Sequence, residues 1–357
     1  MLAGAVILVF LLPASSACLY YVIGSFIGRF PRRIASRTPT HRLAILIPAH
    51  DEEATLPRAL ASIAAADYPA DLLTIHVVVD HCTDGTEALS RQFGADCTVR
   101  RDSLERGKGY ALAAGLAELL PSHPDGILIL DADCRISPGL LKRLDREQAA
   151  GATVVQAAVV STVESQNPAS VVAAIGAAFD NRMAAAADRL RLFVPLRGTG
   201  MYFAREILER HPWTQFGLAE DAEYAAELHR HGVPIRFAAD DSVVCEAPPQ
   251  PTAFLDQRRR WSASLRVPRA GRWFTSKPVI LAHLAATVAA SLIAGKLTLI
   301  VWALALAFLT VATYTEVMLS IRVRWPGFRS FWLIGRLTTV AVGGLWRRET
   351  RWTRTAR

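Results

Sequence analysis

Gly126-Ile127-Leu128-Ile129-Leu130-Asp131-Ala132-Asp133 is the stretch that decides the fold. An apolar run closed by two acids reads as a buried strand over 126–131 that delivers carboxylates to the edge of a sheet. Side chains at i and i+2 of an extended chain point the same way, so Asp131 and Asp133 can address one ion or one ligand together. Clustered ionised carboxylates are costly unless a cation compensates them, which points to a divalent metal and a phosphate-bearing ligand. A D-x-D triplet by itself is common in solvated loops, so its meaning comes from its surroundings.

On either side of it the chain alternates. Strands are expected at 43–48, 74–80, 126–131 and 153–160, and helices at 54–66, 86–93, 109–120 and 219–231. Such alternation predicts an α/β domain with a mostly parallel central sheet covered by helices. The expected strands end in acids: His50-Asp51-Glu52, then Asp80, then Asp131 and Asp133. Ligands of open α/β sheets bind beyond the carboxyl ends of the strands, so these groups should meet in one crevice. Ser137-Pro138 has the N-cap and first-turn pattern of a helix start. Gln156 is a polar residue inside an apolar strand, where a satisfied core amide and a ligand contact are equally good readings.

The ends of the chain are different in character. Of the 357 residues 52% are hydrophobic, and 278–319 is almost uninterruptedly apolar. As a helix that run would extend roughly 60 Å, about twice the hydrocarbon thickness of a bilayer, so two crossings are expected, near 279–294 and 297–319, with the turn at Gly295-Lys296. Residues 2–27 form a third candidate span, kinked at Pro13 and Ser15-Ser16. A cleaved signal peptide would need a basic start, which this stretch lacks. Arginines follow each apolar region, at Arg29, Arg32, Arg33 and Arg37 and again at Arg322, Arg324, Arg347 and Arg348, which predicts cytoplasmic flanks. The expected organisation is an N-terminal transmembrane helix (1–29), a cytoplasmic α/β domain (41–262), an interfacial linker (263–277), two transmembrane helices (278–320) and a basic C-terminal segment (321–357) with an interfacial helix at 331–346. The expected location is the cell (inner) membrane, as a multi-pass protein. The net charge of +8 is accounted for by flanks facing anionic lipid, and no nucleic-acid partner is expected. Five dispersed cysteines without C-x-x-C spacing fit reduced thiols, neither a disulfide framework nor a zinc site.

Six motifs follow one another in order: Ile47-Pro48-Ala49-His50-Asp51-Glu52-Glu53, Val79-Asp80-His81-Cys82-Thr83-Asp84-Gly85-Thr86, Arg106-Gly107-Lys108-Gly109, Leu130-Asp131-Ala132-Asp133, Ala219-Glu220-Asp221 and Gln257-Arg258-Arg259-Arg260-Trp261. The set resembles the family-2 glycosyltransferases, especially the branch of cellulose, chitin and hyaluronan synthases. The resemblance implies a GT-A nucleotide-sugar-binding fold, inverting transfer, and magnesium or manganese as cofactor. It implies that Asp80, Asp84 and Asp131 hold the nucleoside of the donor, with Arg106 and Lys108 adding positive charge, and that Asp133 binds the metal. Asp221 matches the catalytic base, with Glu220 beside it; Arg258 and Arg260 match the diphosphate contacts; Gln257, Trp261 and the loop Gly198-Thr199-Gly200 match the acceptor side. His81 stands where the family often has a second acid. Without the resemblance, Glu220-Asp221 reads as an acidic helix start and Arg258–Trp261 as an interfacial anchor.

The function expected is transfer of a sugar from a nucleotide-sugar, UDP-linked, to a lipid or membrane-associated glycan, giving a β-glycoside. The alternatives are a processive polysaccharide synthase, a nucleotide-sugar-binding regulator without turnover, and a nucleotidyltransferase.

Overall fold

The computed structural model describes residues 2–102, 104–163, 167–248, 250–264 and 277–321, with 323, 330, 333–334 and 336–337. The expectations for 263–277, 321–357 and the helix at 331–346 fall largely outside the described residues, as do the side chains of Arg260 and Trp261. The chain divides into two units: Pro31–Thr162 with Ala187–Glu246, and Met1–Phe30 with Val163–Ala186 and Ala247–Arg357.

The first unit is the α/β domain. Its sheet has eight strands in the order β3-β2-β1-β4-β7-β6-β8-β5. These are β1 (Leu43–Ala49), β2 (Leu73–Asp80), β3 (Asp96–Arg100), β4 (Gly126–Ile129), β5 (Cys134–Ile136), β6 (Val154–Ser161), β7 (Met201–Ala204) and β8 (Ile235–Cys245). Pairings β1/β2, β1/β4, β2/β3 and β6/β8 are parallel, whereas β7 runs antiparallel to β4 and β6, and β5 to β8. Strand β1 is apolar along nearly its whole length because both faces are covered, and Leu43 to Ile47 are fully buried. The chain builds β1, β2 and β3 outward, then returns to place β4 on the other side of β1. That reversal is a switch point, where the strand ends part and leave a crevice.

The structure corrects two local expectations. Strand β4 ends at Ile129, and Asp131 to Cys134 form a tight turn closed by the Cys134 N–H donating to the Asp131 carbonyl at 3.0 Å. The two acids therefore converge by a turn and not by strand alternation. Ser137 does not cap a helix: its N–H donates to the Ser242 carbonyl at 2.9 Å and its Oγ accepts from the Ser242 N–H at 3.0 Å, and the helix begins at Leu140 with Gly139 at its N-cap. The strand ladder claimed the group that an isolated segment would have used for capping. Strand β3, unrecognised in the sequence, is short and mostly half-exposed, so it lacks an apolar signature.

The second unit is helical. Leu2–Val6, a π-helical turn at Ile7–Leu11 and Leu12–Ile27 form one continuous N-terminal helix, widened just before Pro13, whose missing N–H interrupts the ladder. Helices Lys277–Ala294 and Leu297–Ser320 meet at the expected turn. Among the described residues two helices, Gly4–Ile27 and Leu297–Ser320, are long and apolar enough to cross a membrane, and His283–Ala294 is a shorter apolar stretch. Val6, Leu11, Ala14 and Cys18 pack on Leu284, Leu299, Ala303 and Leu306. His283 Nε2 donates to the Phe10 carbonyl at 3.2 Å, a polar tie between two apolar helices. A 22-residue helix that the sequence reading did not identify, Pro168–Arg189, contributes Phe179 to a cluster with Tyr21, Tyr314, Val317 and Met318. Glu316 accepts from both Arg29 at 2.9 Å and Arg182 at 3.2 Å, joining three helices.

Gly28 makes that junction possible. A Cβ there would stand 2.0 Å from the Arg182 carbonyl oxygen, and one at Gly24 would stand 2.5 Å from Met183 Cε, so this small-xxx-small face admits the second helix at backbone distance. Gly28→Leu should therefore overpack the junction and cost about 1–3 kcal/mol. Thermal unfolding in detergent will show a lowered Tm for Gly28→Leu and an unchanged one for Gly4→Ala, where a Cβ meets nothing within 4 Å.

Candidate active site

Lys108 is the centre of the crevice. It opens the helix Lys108–Leu119, which packs on β1 and β2, and its ammonium bonds Asp131 Oδ1 at 2.5 Å and the Gly198 carbonyl at 2.7 Å, with Glu220 Oε1 at 4.0 Å. Burial alone would lower the pKa of this ammonium. The carboxylates of Asp131, Glu220 and Asp221 outweigh that and hold it above the ordinary lysine range. Residues from three distant parts of the chain thus share one cation.

Asp221 and Glu220 begin the helix Glu220–Arg230. The Ala222 N–H donates to Asp221 Oδ1 at 2.8 Å, and the exposed amides of the helix start favour its ionised form. Burial pulls the other way and raises the pKa of both acids, Glu220 to about 7, with the charge of Lys108 opposing the rise. The loop Arg197-Gly198-Thr199-Gly200 lies against them. Gly198 has φ +78°, and a Cβ built on it would come 3.4 Å from Lys108 Nζ and 3.5 Å from Asp221 Oδ2. Thr199, buried, accepts from the Asp131 N–H at 3.0 Å through Oγ1. The acids of the D-x-D turn, the acid pair of the helix and the glycine loop are therefore one constellation.

At the end of β2, buried Asp80 pairs with Arg100 at 2.5 Å and with His81 Nδ1 at 3.0 Å. Arg100 was missed in the sequence. Its partnership is a matter of strand register, since Asp80 and Arg100 are ladder partners across β2 and β3. His50 Nδ1 donates to the Asp80 carbonyl at 2.6 Å, tying the ends of β1 and β2. Asp84 folds the next loop: Oδ1 accepts from the Thr86 N–H at 3.0 Å and Oδ2 from the Glu53 N–H at 3.1 Å. Burial works against its charge, but these bonds prevail and keep its carboxyl below the usual range. Asp51, Cys82 and Asp84 could present ligand atoms within 4.8 Å of one another. With Asp51 bonding the Thr83 N–H at 2.6 Å, the two carboxylates serve the loop itself.

A second such group is Asp131, Asp133 and Cys134. The Cys134 thiol donates to Asp133 Oδ1 at 3.4 Å, and its pKa is pushed well up by its contact with Cys245, directly opposite on β8, and by burial. It acts as a neutral hydrogen-bond donor, which leaves carboxylate oxygens as the donor set. Hard oxygen ligands suit magnesium or manganese, so the residues fit the expected ion. Arg106 is exposed. Gln257 and Arg258 lie on the helix Pro251–Ser264 of the other unit, where the Arg258 guanidinium sits 4.9 Å from the Phe254 ring centroid and burial lowers its pKa to about 10.

A pH dependence follows from Glu220. Its ordinary value is 4.5, so between there and about 7 the unfolded chain has lost a proton that the folded one retains, and stability falls as pH rises through that window. Glu220→Gln should make the Tm decline less steeply across it, as measured by thermal unfolding at a series of pH values. An unchanged slope would mean that the carboxyl is not held protonated.

The family model described as "Glycosyltransferase like family 2" matches residues 39–264. Among curated proteins, the chain is 26% identical over 260 residues to the beta-monoglucosyldiacylglycerol synthase of Synechocystis sp., covering 69% of this chain and 52% of that one. It is 27% identical over 240 residues to the probable glycosyltransferase YdaM of Bacillus subtilis, covering 62% and 54%. The chain thus spans about half the length of the curated relatives it matches. Among solved structures, the mannosyltransferase PcManGT of Pyrobaculum calidifontis, in complex with GDP-Man and Mn2+, shares the fold at a TM-score of 0.63 with 21% identity, covering 97% of this chain and 99% of that one. The matched stretch runs from before β1 to the Gln257–Trp261 motif and takes in each strand end of the crevice, so the chain belongs to glycosyltransferase family 2.

Proposed function

We propose that this protein is a membrane-anchored inverting transferase that moves a hexose from a nucleotide-sugar, UDP-linked, to a lipid or membrane-associated acceptor. The observation that carries this reading is the shared cation: Lys108 holds the first acid of the D-x-D turn and the acid pair of the Glu220–Arg230 helix beside one glycine loop. A donor-binding turn and a base next to it are what direct displacement requires. Asp80 and Asp84 line the nucleoside end, and Arg106, Arg258 and Arg260 are assigned to the diphosphate. Gly198, Thr199, Gly200, Glu220, Gln257 and Trp261 are assigned to the acceptor.

In this mechanism Asp221 takes the proton of the acceptor hydroxyl while its oxygen attacks the anomeric carbon and the nucleoside diphosphate departs from the opposite face. An α-linked donor then gives a β-glycoside. Asp133 would hold a divalent ion with an oxygen of Asp131, and the chemistry such an ion supplies when bound is neutralisation of charge on the diphosphate. Lys108 adds a fixed positive charge there, and Gly198 lets backbone approach the acceptor without a side chain intervening.

The acceptor is assigned as a lipid for two reasons. The Synechocystis relative is named as a glycolipid synthase, and the two long apolar helices would keep the chain in a bilayer with its α/β domain on the cytoplasmic side. The Gln257–Trp261 motif, which resembles that of polysaccharide synthases, favours a second reading, chain polymerisation. Sizing the product made in lipid separates them: one added sugar per acceptor supports a glycolipid, and a long polymer rejects it. Asp221→Asn should bind nucleoside diphosphate as the parent does while transfer falls by about 10²- to 10⁴-fold. Equal loss of nucleotide affinity would move Asp221 out of the base role, and release of pyrophosphate would identify a nucleotidyltransferase instead.

A further inference from the structure

Gln156 is fully buried on β6, and its carboxamide is used up by one loop. Oε1 accepts from the Arg197 N–H at 2.9 Å. Nε2 donates to the Thr199 carbonyl at 2.9 Å and to that of Ala157 at 2.9 Å, with the Gly200 carbonyl at 3.4 Å. Three carbonyls around the nitrogen and one N–H at the oxygen fix the orientation of the amide, since the flipped form would oppose like groups. No other side chain of the twenty offers an acceptor and two donors in this shape and length without charge.

The rest of the loop is bonded just as completely, and by different strands. The Gly200 N–H donates to the Ile129 carbonyl at 2.9 Å, and the Gly200 carbonyl accepts from the Ala157 N–H at 2.8 Å. Thr199 Oγ1 holds the Asp131 N–H, and the Gly198 carbonyl holds Lys108. The amide spans the loop from its first residue to its third, so it sets the curvature that brings Gly198 against Asp221. The bonds at Ile129, Asp131 and Lys108 pin single points and do not set that curvature.

We propose that Gln156 is a positioning residue: its carboxamide braces the Arg197–Gly200 loop and so sets the gap between the acceptor-facing glycines and the Asp221 carboxylate. The link to the acceptor rests on the function proposed above. The brace itself does not. The nucleoside end of the crevice is held separately: the ends of β1 and β2 are tied by His50, Asp80 and Arg100 with no contribution from Gln156.

The test uses the full chain in lipid nanodiscs with three forms: the parent, Gln156→Met, which keeps the side chain's length and volume without its hydrogen bonds, and Gln156→Glu, which when protonated regains the acceptor and one donor. Hydrogen exchange of peptides covering 197–201 should accelerate at least about tenfold in Gln156→Met, while peptides of β1 and β2 stay as in the parent. The acceptor KM should rise by about tenfold or kcat fall by as much. Gln156→Glu, measured as a ratio to the parent, should recover both loop protection and transfer as pH is lowered, and Gln156→Met should not. Unchanged exchange at 197–201, or faster exchange throughout the domain, overturns the brace. Faster exchange at the loop alone with unaltered acceptor kinetics upholds the brace and overturns the assignment of this loop to the acceptor.

Discussion

One half-buried ammonium governs the crevice. Lys108 bonds Asp131 and sits near Glu220 and Asp221 as well, so one positive charge is shared by three carboxylates. That sharing has a consequence. Burial, with the neighbouring carboxylates, lifts the acids at the start of the Glu220–Arg230 helix, Glu220 to about 7, while Lys108 opposes the rise. Lys108 stays charged because its partners cannot be satisfied otherwise, and the cost of burying it is recovered only when all of them are in place.

The sheet supplies the framework on which this balance depends. A wholly parallel sheet would have carried the chain away from β4, but β7 returns antiparallel beside it and pairs with β6 as well. The residues immediately before β7, Arg197 to Gly200, are thereby pulled across the ends of β4 and β6. The loop is rigid because its backbone is hydrogen-bonded from β4, from β6 and from Lys108 together. A positive φ at Gly198 is the local condition for that path, and a side chain there would stand against both the lysine and the acid.

In the helical unit, polar contacts occur at a few defined points. Glu316 gathers Arg29 and Arg182, and the Phe10 carbonyl beside the widened turn takes His283. Close backbone approach at Gly24 and Gly28 adds to these bonds in joining the helices.

Much of this was legible in the residues. Strand β1 is a continuous apolar run because a parallel strand is covered on both faces, and the acids at strand ends, the positions of the apolar helices and the turn at Gly295-Lys296 follow from patterns that are local in sequence. What was not legible depends on register and on turns. Arg100 reaches Asp80 only because β3 pairs with β2 at that register, Asp131 meets Asp133 through a turn that no alternation rule encodes, and Ser137 is taken by a strand 105 residues away in place of a helix cap. Gln156 shows the division most plainly. Its polarity in an apolar strand marked it as exceptional, but whether the amide faced a ligand or a loop was decided by β7, which brings Arg197 and Thr199 to it from 41 and 43 residues away. Composition and periodicity determined which elements form and which residues stand at their ends; which of those ends share a cation was decided by strand order, because hydrogen-bond register is a property of paired chains and not of any one segment.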